Sequence, residues 1–161
     1  MLTVIIQTLN HEDALAHTLA SLVGGAVDGV VKDVLICDGG STDSTESVAE
    51  HAGCTWLDRP DTATALRRAK GEWLLMLEPG ARVGRDWTEA ALRHAAEFDR
   101  PARLTPSSGA LSGALRLLRR PLADGLVISK RRAFALSLKL GSAPRFGVSR
   151  LRAQIDVASS R

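Results

Sequence analysis

The run VLICDGGSTDST, residues 34–45, changes character at Asp38. Ahead of it the chain is apolar and β-branched, so Val30 to Cys37 reads as a buried strand. Behind it come two glycines and five hydroxyl or acidic residues, the composition of a tight connection. Asp43 with Glu46 three residues on has the spacing of a capping box, so a helix is expected to open there and close near Gly53. Strand, polar turn and helix form the unit from which the rest of the chain is read.

Upstream, Leu2 to Thr8 is a second apolar strand, and Glu12 to Val23 carries Ala14, Leu15, Leu19 and Leu22 at helical spacing, with Gly24 and Gly25 expected to end that helix. Downstream, Cys54 to Leu57 reads as a strand. Pro60 suits a first helical turn, and Gly71 the end of a helix through Leu66 and Ala69. Glu72 to Leu77 is a fourth strand, followed by the turn Glu78-Pro79-Gly80 and, behind Asp86 and Glu89, a helix to about Phe98. This alternation predicts an α/β, three-layer, mostly parallel sheet with helices on both faces. Such sheets bind ligands at the carboxyl ends of their strands, here Thr8, Asp38 and Glu78.

Residues 1–98 form this core, and 99–161 are expected to complete the same domain. Arg100 to Gly109, rich in Pro, Ser and Gly, reads as a linking loop. It precedes a helix at Ala110 to Arg119, a strand at Gly125 to Ile128, a helix at Lys130 to Leu140 and an unassigned tail. Residues 1–110 hold ten Lys or Arg against sixteen Asp or Glu, and 111–161 hold eleven against two. A positive half of this kind suits phosphate, anionic lipid or nucleic acid, or is simply a solvated face.

Several classes fall away. No apolar run approaches the roughly 20 residues of a membrane span, and the first ten residues lack a basic start, so the cytoplasm is the expected compartment. Cys37 and Cys54 have no CxxC spacing and are read as buried thiols. Gln7-Thr8-Leu9-Asn10-His11 lacks the glycines of a dinucleotide fold, and no GxxxxGK[ST] occurs. The four histidines show no metal spacing, the three tryptophans lie in or beside regular elements, and no nucleic-acid motif is present.

VIIQTLN (4–10), VLICDGGSTDST (34–45) and AKGEWLLMLEPGARV (69–83), in that order and strand context, resemble the family-two glycosyltransferases of GT-A type over roughly residues 3 to 98. The resemblance implies binding of a nucleotide-diphosphate sugar and transfer of its sugar, with inversion, to an acceptor hydroxyl. The acceptors that family meets are often lipid-linked. Thr8, Asn10 and Asp38 are the implied nucleotide-side residues. Chemically, Asp38 can accept from a base N–H and Thr8 can bond base or ribose. The alternative is that Asp38 and Ser41 only shape a turn and Asp43 caps its helix; we favour ligand contact for Asp38 and capping for Asp43.

Glu78-Pro79-Gly80 stands where that family has Asp-x-Asp, whose second carboxylate holds Mn²⁺ or Mg²⁺ on the diphosphate. Glu78 is the candidate for metal or ribose contact, but Gly80 offers no side-chain oxygen. Leu9 stands for a usual Tyr and Ala63 near a usual Asn. Arg59, Arg67 and Arg68 are either diphosphate contacts or a solvated basic face, with the solvated face favoured. Asp124, ahead of Gly125 to Ser129, is the candidate catalytic base, with a turn aspartate as the alternative. The second functional reading is a non-catalytic nucleotide-sugar-binding or partner module. A nucleotidyltransferase would require a glycine-rich basic loop that Gln7 to Glu12 lacks. Lys130 to Leu140 sets a basic start beside Phe134, Leu136 and Leu138, which gives an expected weak contact with an anionic membrane, although packing of those apolar residues on the sheet is favoured.

Overall fold

A computed structural model describes residues 1–107, 125–137 and 149–156. Four strands, β1 (Leu2–Thr8), β2 (Val31–Asp38), β3 (Thr55–Asp58) and β4 (Trp73–Leu77), run parallel, with β1 between β2 and β4. β7 (Leu126–Ser129) continues the sheet antiparallel to β4, then β6 (Ala102–Pro106), β8 (Ser149–Asp156) and β5 (Arg82–Val83) follow in the order β3-β2-β1-β4-β7-β6-β8-β5. Parallel pairs therefore dominate on the β1 side, and antiparallel pairs enter beyond β4.

Side chains alternate across each strand, so every strand feeds two cores. Leu2, Val4 and Ile6 of β1 join Leu75 and Leu77 of β4 on one face, under α1 (Glu12–Val27), α2 (Thr45–His51) and α4 (Trp87–Glu97). Ile5, Leu74 and Ile128 face the other way, against Ala65 and Leu66 of α3 (Thr62–Arg68) and Ala133 of α5 (Lys130–Ser137). The expected three layers result.

Several local expectations need correction. α1 does not stop at Gly24 and Gly25 but runs through them to Val27, and the chain turns at Gly29, φ +70°. Gly25 is there for packing: a Cβ on it would lie 2.6 Å from Trp87 Cζ2. The capping box at Asp43 and Glu46 does not form as drawn. α2 begins at Thr45, whose N–H donates to the Asp43 carboxylate (3.1 Å), and the Ser44 N–H is taken by Glu12 from α1 (2.8 Å). Pro60 lies just ahead of α3, where Asp61 is the cap, accepting from the Thr64 N–H at 2.6 Å.

The segment read as a linking loop contains β6, because Ala102 and Leu104 point into the core between β7 and β8. The unassigned tail contains β8. The expected strand at Gly125 to Ile128 is β7, and the helix expected at Lys130 to Leu140 is described as α5 as far as Ser137. The helix expected at Ala110 to Arg119 lies outside the described residues, as does Asp124.

Candidate functional site

Parallel pairing puts Thr8 opposite Asp38, and Asp38 opposite Asp58, so three strand ends converge on one edge of the sheet. Thr8 and Asp38 are both buried. Asp38 holds its own loop: Oδ2 accepts from the amides of Gly40 and Ser41, each at 2.7 Å, and Oδ1 accepts from the Ser41 hydroxyl at 2.5 Å. Burial pushes the carboxyl pKa up, but the Ser41 hydroxyl and the amides of Ser41, Gly40 and Gly39 outweigh it and hold the group below its ordinary 3.8. The carboxylate is thus ionised, and Oδ1 keeps acceptor capacity for a further donor.

Asn10 ties the first loop to the second. Its backbone N–H donates to Ser41 Oγ (2.8 Å), and its Oδ1 accepts from the Thr42 backbone N–H (2.7 Å). Its backbone sits at φ +55°, a region that Asn tolerates better than most residues. The other described non-glycine residue with positive φ is Arg59, at +41°, immediately after β3. Neither is part of a helix or strand, and both lie beside the Asp38 loop. An unfavourable backbone of this kind costs about 1–3 kcal/mol and concentrates at functional edges.

Thr8 Oγ1 is the one buried side-chain polar atom without a partner among the described residues. Such atoms are rare, and leaving a hydroxyl unsatisfied costs about 1–3 kcal/mol, so an orphan next to a buried carboxylate marks this strand end as a candidate ligand contact.

Glu78 follows β4 directly and is half-buried, on the other side of β1 from Asp38. Two residues on, Gly80 is buried at φ +89°, and its N–H is held by Thr18 Oγ1 (2.8 Å) and by the Ala14 carbonyl (3.0 Å) of α1. That conformation favours glycine, so a carboxylate at this position is opposed by the backbone itself. Among the described residues no three His, Cys, Asp or Glu side chains converge. A divalent ion on a diphosphate is held by one or two carboxylates together with phosphate oxygens and water; at this turn Glu78 is the one carboxylate and Gly80 withholds the second, so the turn fits Mn²⁺ or Mg²⁺ poorly.

Of the other candidates, Arg67 bonds Thr64 Oγ1 and, like Arg68, is exposed on α3. Arg131 and Arg132 both pair with Asp99, while Ala133 is buried and Phe134 and Leu136 pack on the second core, so α5 spends its apolar face on the sheet. His11, His51 and His94 each engage the backbone. Cys37 and Cys54 are free thiols pushed by burial to a pKa of about 11, which leaves them unreactive near neutrality. A cavity of about 680 Å³, walled by Glu72, Trp73, Phe98, Ser129 and Lys130, opens at the start of β4. It lies about 16 Å from Glu78 at one strand rise per residue, and so at the wrong end of the sheet for this site.

A mixed α/β sheet with a polar edge at its parallel carboxyl ends is the class this geometry defines. The sequence model of Glycosyl transferase family 2 matches residues 3–100, and the chain belongs to that family. No protein of curated function matches the chain in sequence. Among solved structures, glucosyl-3-phosphoglycerate synthase from Mycobacterium tuberculosis, in complex with Mn²⁺, uridine diphosphate and phosphoglyceric acid, superposes with a TM-score of 0.69 at 16% identity, over 100% of this chain and 70% of that one. The same enzyme with uridine diphosphate-glucose gives 0.60 at 18% identity, over 81% and 57%. S. aureus TarS 1–349 gives 0.64 at 16% identity, over 84% and 48%. At such identities the likeness speaks for the fold. No helix among the described residues is long and apolar enough to cross a membrane.

Proposed function

We propose that this chain binds the nucleotide of a nucleotide-diphosphate sugar at Thr8, Asn10 and Asp38 and transfers the sugar, with inversion, to an acceptor hydroxyl. The observation that carries the reading is the orphaned, buried Thr8 hydroxyl paired in register with the ionised Asp38. In a single displacement the acceptor oxygen bonds the anomeric carbon as the bond to the diphosphate breaks, and a base takes the hydroxyl proton. Asp124 is the proposed base. Residues 99–161 are the proposed acceptor side, where eleven Lys or Arg within 111–161 suit a phosphate-bearing or membrane-borne acceptor at the inner face of a membrane.

The family's divalent ion is not assigned to this chain, because Gly80 and the donor set around it do not suit one. That same feature favours a second reading, a module that binds nucleotide-sugars without turning them over. Both readings require nucleotide binding, so calorimetry with uridine diphosphate tests them together. The wild type is expected to bind and Asp38→Ala to lose at least about tenfold in affinity, as removal of a charged acceptor predicts. Equal affinities in two folded proteins would sink the assignment of the site, and transfer of label from uridine diphosphate-sugars to added acceptors separates enzyme from module.

A further inference from the structure

β6, β8 and β5 show apolar side chains to one face of the sheet only. Ala102 and Leu104 of β6, Leu151, Ala153 and Ile155 of β8 and Val83 of β5 join the core under α1 and α4. On the other face, the second core draws on β1 to β4 and β7 under α3 and α5 and takes nothing from these three strands. What they present there is charge. Arg103 of β6 is the register partner of Arg150 of β8, and Arg152 follows on the same face two residues on, about 7 Å away. Like charges set opposite one another on neighbouring strands cost stability. Among the described residues no hydrogen bond or ion pair takes any of the three guanidinium groups. Asp156, the one acid on β5, β6 and β8, stands four residues beyond Arg152, opposite Arg82, and accepts from the Ser107 hydroxyl.

Strand register fixes where these arginines stand. Arg103 pairs with Leu126 of β7, which pairs with Met76 of β4, so Arg103 and Arg150 are level with Met76, two residues before Glu78. At about 4.8 Å per strand and 3.3 Å per residue, Arg103 is roughly 12 Å from Glu78 and Arg150 roughly 16 Å. α3 and α5, each about 10 Å thick, stand on the same face over the neighbouring strands, which leaves the arginines at the foot of a step. A flat bilayer meets the helices first, whereas a small anion reaches the foot. The outward residues beside the arginines are Thr105 and Gln154, with no aromatic ring on which a base would stack. We propose that Arg103, Arg150 and Arg152 seat the phosphate group of the acceptor, whose hydroxyl then lies towards the turn after β4. A phosphate monoester near neutrality carries nearly two charges and three terminal oxygens, so it takes guanidinium forks from more than one arginine at once. A carboxylate, with one charge and two oxygens, is filled by one fork.

The inference rests on the reading of residues 99–161 as the acceptor side, and the test tells its failure from failure of the donor site. Glycerol 3-phosphate, glycerate and uridine diphosphate are titrated calorimetrically into wild type, Arg103→Gln and the double variant Arg150→Gln/Arg152→Gln, at about pH 7.5 where the ester is largely dianionic. Thermal melts in phosphate-free buffer check folding, and Arg103→Gln is expected to melt no lower than wild type because the repulsion from Arg150 is relieved. Wild type should bind glycerol 3-phosphate at least roughly tenfold more tightly than glycerate, as one further charge-assisted hydrogen bond would give. Each variant should lose at least about tenfold for glycerol 3-phosphate and nothing for uridine diphosphate. Equal losses for the two ligands would put the arginines on the donor's diphosphate and overturn the inference. Unchanged glycerol 3-phosphate affinity in both variants would also overturn it, as would a wild type that ignores glycerol 3-phosphate, whether or not it sediments with phosphatidylglycerol vesicles. A wild type that binds glycerol 3-phosphate through the arginines but no uridine diphosphate would remove the donor site and leave the phosphate seat standing.

Discussion

Asp38 accepts three hydrogen bonds from its own loop and keeps acceptor capacity, so its charge governs the loop. Its folded pKa lies below its ordinary 3.8, which makes ionisation easier in the folded than in the unfolded chain. The resulting stability is fully present above about pH 4 and is lost as pH falls through the folded value. Urea midpoints followed from pH 6 down to pH 3 are therefore expected to fall more steeply for wild type than for Asp38→Asn; parallel curves would contradict it. Asp43, Asp61 and Asp99 shift in the same direction and contribute to the acid limb of both proteins. The resemblance singles out Thr8, Asn10 and Asp38, and the structure brings them to one edge of the sheet, where Asp38 and Asn10 bond the same loop. Arg59 reads with Arg67 and Arg68 as a diphosphate contact or a solvated face, with the face favoured; the structure shows it exposed after β3, at a backbone angle that no residue pattern announces.

At the scale of elements, adjacent glycines on α1 differ completely in surroundings. A Cβ on Gly24 meets nothing within 4 Å, whereas one on Gly25 meets the buried Trp87 ring at 2.6 Å. Gly24→Ala is expected to stabilise the fold by about 0.5–1 kcal/mol through helix propensity, and Gly25→Ala to destabilise it by about 1–3 kcal/mol through overpacking. Urea unfolding of the two variants checks this, and stabilisation by both would show that α4 does not pack on α1 as described. The pair reads as a helix stop in sequence because glycine usually is one; only the approach of Trp87 reveals the other reason. Three strands escaped the sequence reading: the two-residue β5, and β6 and β8 for different causes. β8 alternates cleanly, with Leu151, Ala153 and Ile155 inward and Arg150, Arg152, Gln154 and Asp156 outward, and its period of two was a usable signal. β6, bounded by Pro101 and Pro106, shows only Ala102 and Leu104 to the core, and its identity as a strand comes from β7 and β8 on either side.

Across the whole molecule, the parallel strands β1 to β4 were predictable from alternation, whereas beyond β4 only β7 was, because β5, β6 and β8 are joined by long-range pairing such as Arg82 with Asp156. That pairing builds the basic C-terminal part into the same eight-stranded sheet. The carboxyl edge of the parallel strands holds an ionised Asp38 and a Thr8 hydroxyl without a partner among the described residues, and beyond β4 a Gly80 whose backbone opposes a carboxylate at that position. The central claim is a family-two donor site that engages the nucleotide without a divalent ion. Calorimetric titration of uridine diphosphate in EDTA and again in Mn²⁺ tests it most directly. The account predicts saturable binding in both, with dissociation constants agreeing within about threefold, less than 1 kcal/mol; no binding in either buffer, or a gain of about a hundredfold with Mn²⁺, would contradict it.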